Sequence, residues 1–171
     1  LHKPAGYITT VEDVEGRKTV MDLVQNIGQR IYPVGRLDKD TEGLLLLTND
    51  GNFSHRILHP SYKLKKTYLA WVEGHPDKKE IQKLRTGIWL PTGLTASAVV
   101  QEIRRRGVQT HYRIVIHEGK KRQIRQMFQA IGSKVDYLKR IRIGGLSLGA
   151  LPKGQFRYLE EDEIRSLKGK G

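Results

Sequence analysis

One carboxylate has the strongest claim to chemistry in this chain. Asp38 sits in Gly35-Arg36-Leu37-Asp38-Lys39-Asp40-Thr41-Glu42-Gly43, a charged loop between the apolar runs 31–34 and 44–47. A rigid scaffold presents reactive groups on such loops. A carboxylate acting as nucleophile or general base must be ionised and held still, and a neighbouring guanidinium does both. Arg36 is close, but the short peptide between it and Asp38 makes a bidentate pair awkward. Arg125, in the second turn of the helix expected over 121–131, is the better partner, although an Arg on a helix reads by itself as a plain structural ion pair. Tyr68 contributes an inward aromatic ring on an alternating strand, which by itself reads as core. Thr41 and Gly43 read as supports: a hydroxyl able to bond back to the Asp38 loop, and a residue that permits a tight bend.

These residues need elements to hold them. The opening Leu1 to Thr10 reads as two extended pieces around Pro4-Ala5-Gly6. Thr19 with Asp22 is a capping pattern for a helix carrying Val20, Leu23, Val24 and Ile27 and closed by Gly28. The runs 31–34 and 44–47 are strands, the second ending at the turn Asn49-Asp50-Gly51, and 52–58 is a short helix before His59-Pro60. Residues 66–73 alternate as a strand, with Tyr68, Ala70 and Val72 on one side and Leu69 and Trp71 on the other. Asp77 and Glu80 cap a helix that Gly87 ends. Residues 96–103 and 108–117 form a hairpin with Arg104-Arg105-Arg106-Gly107 at its tip. Within 121–131, Ile124, Met127, Phe128 and Ile131 recur at helical spacing, so one stripe is core. A strand over 135–143 and a helix over 161–167 complete the chain. Helices and strands mix without strict alternation, which predicts an α+β fold with a mainly antiparallel mixed sheet flanked by helices.

Three ordered motifs carry a resemblance. Gly35-Arg36-Leu37-Asp38 with Thr41, Gly43 and the following Leu run resembles the catalytic motif of pseudouridine synthases, closest to the RsuA/RluB-type ribosomal RNA branch. Lys66-Thr67-Tyr68 is similar to that family's KxY motif, and Glu118-Gly119-Lys120-Lys121-Arg122-Gln123-Ile124-Arg125 to its EGKxRQ(I/V)R motif. The resemblance implies that Asp38 is catalytic, that Arg125 pairs with it, and that Tyr68 stacks on the target uracil and acts as acid or base beside it. It implies cofactor-free isomerisation of uridine to pseudouridine in ribosomal RNA, on a nucleotide flipped out of its helix, with Arg36 filling the vacated space. Lys66, Lys120, Lys121, Arg122, Gln123, Arg140 and Arg142 become the expected RNA contacts, with Ile124 supporting the helix. Gln126 stands where many members carry a second Arg. The implied fold has two lobes around a central cleft in one catalytic domain spanning 1–171. The small S4 domain that many members carry upstream has no counterpart in this sequence.

Composition agrees with a polyanion partner. Thirty-one Lys and Arg against eighteen Asp and Glu leave +13, a more lopsided field than solubility requires. No cysteine is present, which excludes disulfides, thiolate metal sites and thiol nucleophiles. No apolar run has the roughly 20 residues needed to span a bilayer, and the expectation is a cytoplasmic monomer with no membrane partner. Asp38, Asp40 and Glu42 mimic a calcium loop, but Leu44 to Leu47 fill its later ligand positions and Asn49 replaces the closing Glu. The histidines lack paired ligand spacing, so no metal is expected. No Gly-rich phosphate loop precedes a Lys-Ser or Lys-Thr pair, so no nucleotide cofactor is expected. The main alternative is a non-catalytic RNA-binding or ribosome-assembly protein that retains the fold; a metal-dependent nuclease is more distant.

Overall fold

The computed structural model describes residues 1–168. Along the chain run β1 (His2–Lys3), β2 (Tyr32–Val34), β3 (Glu42–Leu44), β4 (Leu46–Thr48), α1 (Gly51–Leu58), β5 (Lys66–Glu73), α2 (Lys78–Thr86), β6 (Trp89–Leu90), β7 (Gly93–Leu94), β8 (Val99–Arg106), β9 (Gln109–Ile116), α3 (Gln123–Gln129), β10 (Val135–Ile143), β11 (Leu146–Ser147) and α4 (Glu161–Lys168). The class is α+β with antiparallel pairing, as the element pattern predicts. No described helix is long and apolar enough to cross a membrane. The chain forms two compact units, one of Leu1–Leu64 with the chain from Arg140 onward, the other of Lys65–Lys139.

In the first unit, β1 pairs with β3 (His2 opposite Leu44, Lys3 opposite Gly43) and β2 with β4 (Pro33 opposite Leu47). The strand expected over 44–47 is therefore two strands, and the fully buried Leu45 between them marks the change of partner. An unbroken Leu run hides that change because both pieces are buried. Val34, Leu44, Leu46, Phe53, Ile57, Ile143, Leu146, Leu148 and Leu167 form one apolar cluster. Asp50 caps α1 by accepting from Phe53 N at 3.0 Å. The helix expected from Thr19 is only a four-residue 3-10 turn, Val20–Leu23. Its capping box forms, but Val24 leaves helical geometry at φ −126°, and the left-handed Asn26 (φ +73°) follows before Ile27 is reached.

In the second unit the strands lie in the order β10, β5, β9, β8. β5 and β9 pair from Lys66 opposite Ile116 to Glu73 opposite Gln109, and the β9–β8 register shifts between Glu102 and Arg104. The turn sits at Gly107 (φ +54°), so Arg104 to Arg106 end β8 instead of forming the tip. Asp77 and Glu80 cap α2 reciprocally. Ile81, Leu84, Ile124, Met127 and Phe128 from the two helices are buried, as are Tyr68, Ala70, Val72, Val100, Tyr112 and Ile114 from the sheet. α3 is shorter than the 121–131 expected, because Arg122 adopts a left-handed conformation at φ +50°.

Candidate active site

The loop carrying Asp38 is fastened by its backbone. Lys3 is 0 % exposed, and its ammonium donates to the carbonyl oxygens of Thr41 (2.8 Å), Asp38 (3.0 Å), Pro4 (3.1 Å) and Lys39 (3.3 Å). Thr9 Oγ1 donates to Leu37 O at 2.7 Å and accepts from Leu37 N at 3.2 Å. Thr41 N donates to Asp38 O at 3.0 Å, and Gly6 N to Lys39 O at 2.7 Å. Every carbonyl from Leu37 to Thr41 except that of Asp40 thus accepts one of these bonds, which fixes the aim of the half-buried Asp38. Burial draws the Lys3 ammonium down from 10.5 to about 8, against the pull of Asp40, Asp38 and Glu42 and with a further push from Arg140. Glu42 accepts from Lys153 Nζ at 2.7 Å, and the exposed Arg36 is open to solvent.

Gly43 is required twice over. Its φ is +114°, and a Cβ there would run into the backbone of Arg140. The constraint is close approach between chain segments, and Gly43 lies inside β3 where the sequence suggested a bend. Thr41 also works differently from expectation. Its hydroxyl is buried with no hydrogen-bond partner, and its backbone N–H and C=O do the binding.

The second unit holds the other two expected catalytic groups. Tyr68 is 8 % exposed on β5, opposite Ile114 of β9 and on the same face as Ala70 and Val72. Arg125 is half-buried on α3 and donates from Nη1 to Val135 O at 2.7 Å. The segment before α3 is tied down through Gln123. Its Oε1 accepts from Lys120 N at 3.0 Å and its Nε2 donates to Glu118 Oε1, which also accepts from Ala96 N at 2.9 Å. Ile124, as expected, is buried beside it.

Several of the expected RNA contacts are engaged within the protein. Gln123 is 3 % exposed and consumed by that clasp. Arg140 is also 3 % exposed, with Nε donating to Leu44 O at 2.8 Å, because strand alternation turns it inward. Lys120 is half-buried and its Nζ donates to Thr92 O at 3.0 Å. Lys120 and Lys121 precede α3 instead of opening it. Lys121, Arg122 and Arg142 are exposed, and Lys66 is half-buried. The residues that the sequence did not single out are Lys3 and Thr9. The available signal was a lysine placed directly before Pro4 in an otherwise short extended piece.

Residues 1–130 match the family described as RNA pseudouridylate synthase. Ribosomal large subunit pseudouridine synthase B of Bacillus subtilis (strain 168) is 46 % identical over 170 residues, covering 98 % of this chain and 70 % of that protein. An uncharacterized RNA pseudouridine synthase of Aquifex aeolicus (strain VF5) is 45 % identical over 168 residues, covering 98 % of this chain and 68 % of that protein. The crystal structure of a pseudouridylate synthase superposes with a TM-score of 0.88 at 33 % identity, covering 98 % of this chain and 71 % of that one. The chain belongs to the RNA pseudouridylate synthase family.

Proposed function

We infer that this chain isomerises uridine to pseudouridine in ribosomal RNA, with Asp38 acting on a nucleotide extruded from its helix. The observation that carries the reading is the Asp38 loop. A buried lysine and a threonine hold its backbone, while the half-buried carboxylate takes no part in that fastening. Positioning of this kind is what converts a weak nucleophile or base into an effective one. The ribosomal substrate is supported by the name of the Bacillus subtilis relative.

The reaction conserves every atom. The N-glycosidic bond breaks, uracil turns within the site, C5 bonds to C1′ of the ribose, and the C5 proton is exchanged for one on nitrogen. No redox or group-transfer reagent is needed for that balance, so the protein supplies orientation and charge. In this reading Arg125 is a charge-bearing member of the catalytic set, Tyr68 stacks on the base and handles a proton beside it, and Arg36 occupies the space the base leaves. The exposed Lys121, Arg122 and Arg142 hold phosphates.

Ribosomal RNA transcribed with 5-tritiated uridine tests this reading. The chain releases tritium to water, in step with pseudouridine found by carbodiimide mapping, and EDTA does not slow it. RNA binding with no release supports the non-catalytic alternative, and strand cleavage that EDTA stops supports a nuclease.

A further inference from the structure

The β5–β9–β8 sheet of the second unit has one face packed and one bare. Both helices of that unit, α2 and α3, pack against the face bearing Tyr112. The Phe128 ring lies 5.4 Å from that of Tyr112, and Ile81 lines a small cavity with it. The opposite face carries Leu69, Trp71, His111 and Val115, all half-buried, and the exposed Gln101, Arg104, Arg106 and Arg113. Tyr68 points to the packed face, so this surface is separate from the expected catalytic groups of the unit.

Three residues on the bare face are in line across three strands: Trp71 opposite His111, and His111 opposite Arg104. The Trp71 and His111 rings stack at 4.4 Å with planes 12° apart, and the Arg104 guanidinium lies 5.2 Å from the centre of the Trp71 ring. The bulge between Glu102 and Arg104 makes this alignment. Without it the exposed Ile103 would stand opposite His111. Burial, with Arg104 adding to the effect, pushes His111 down, so it stacks as a neutral ring at pH 7.

Charge identifies the occupant. Arg104, Arg106 and Arg113 lie on this face, and among the described residues none of them is salt-bridged to a carboxylate; Arg113 donates to Gln101 Oε1 at 2.7 Å. The unit as a whole has sixteen Lys and Arg against six Asp and Glu, a net +10 of the +13 total. Stacked aromatic rings flanked by guanidiniums on an uncovered sheet are suited to unpaired bases and their phosphates.

We propose that this face is a second RNA-contacting surface, on which an unpaired stretch of the RNA stacks against the Trp71–His111 pair while Arg104, Arg106 and Arg113 hold its backbone. The identity of the polymer rests on the chain's reading as an enzyme acting on RNA. Trp89→Phe leaves Trp71 as the single tryptophan, and its fluorescence reports the contact directly. The probe is an oligoadenylate of about twelve nucleotides, long enough for such a platform and free of uridine. Saturable quenching of Trp71 is expected. Arg104→Ala with Arg113→Ala weakens it about fivefold or more in Kd, whereas Asp38→Asn leaves it unchanged. The arginine variant should still release tritium from a short hairpin carrying the target uridine at the normal rate. Oligoadenylate binding that leaves Trp71 unquenched overturns the proposal, as does an unaltered Kd in the arginine variant. Equal quenching by duplex RNA of the same length also overturns it. All three results leave tritium release, and with it the isomerase reading, intact. Quenching in a chain that releases no tritium retains this surface and removes only the isomerase.

Discussion

Four backbone carbonyls converge on the buried Lys3 ammonium, three of them from the Asp38 loop and its far end at Thr41. Replacing Lys3 by Met keeps most of the volume but takes the side-chain donor from Thr41 O and Pro4 O, while Asp38 O and Lys39 O keep only Thr41 N and Gly6 N. The expected cost is about 1–2 kcal/mol, since each buried unsatisfied acceptor costs on the order of 1 kcal/mol and relief of the buried charge offsets part of it. Urea denaturation measures this, and kcat should fall because the loop loses its aim. The same residue sets a pH dependence. Its pKa in the folded protein, about 8, is below the ordinary 10.5, so the unfolded chain binds the proton more tightly between those values. Stability of the wild type therefore rises from pH 8 towards 10.5 relative to Lys3→Met, by on the order of 3 kcal/mol at most. A flat difference across that window would contradict the buried ammonium. Asp38, Tyr68 and Arg125 were legible as residue types at motif spacing. Lys3 was not, because its meaning depends on carbonyls some 35 positions away that no local pattern announces.

At the scale of elements, glycines separate strain from collision. Gly43→Ala must place a methyl group against the Arg140 backbone at φ +114°, and neither β3 nor β10 can yield without breaking the sheet. A loss of more than about 3 kcal/mol is expected. Gly107→Ala, at φ +54° with open space around it, should cost only about 1 kcal/mol. Equal effects on the urea midpoint would show that the close approach at Gly43 is not a constraint. Elements with strong periodicity or caps were readable in sequence: β5, α1, α2 and the β8–β9 pair. Their neighbours were harder. A sound capping box at Thr19 starts only a 3-10 turn, because the chain leaves helical geometry at Val24 (φ −126°), a break that no residue type announces. The strand break at Leu45 is invisible, since burial on both sides removes the alternation that marks a change of partner.

Across the whole molecule the positive charge is uneven, with +10 in Lys65–Lys139 and the remaining +3 elsewhere. The net charge was legible from composition; its concentration in one unit emerged only once the fold divided the chain. Affinity for a ribosomal RNA transcript should fall steeply with salt, and Lys121→Ala with Arg122→Ala should reduce the slope of log Kd against log salt by about 1–2. Filter binding between low and physiological salt measures both, and an unchanged slope would remove that pair from phosphate binding. The central claim concerns one carboxylate, and a paired measurement of turnover and affinity on Asp38→Asn tests it most directly. The account predicts that tritium release from 5-tritiated uridine in RNA drops by about a thousandfold or more, while Kd for the same RNA stays within about twofold because the basic surface is intact. Tritium release at the wild-type rate by Asp38→Asn would contradict it.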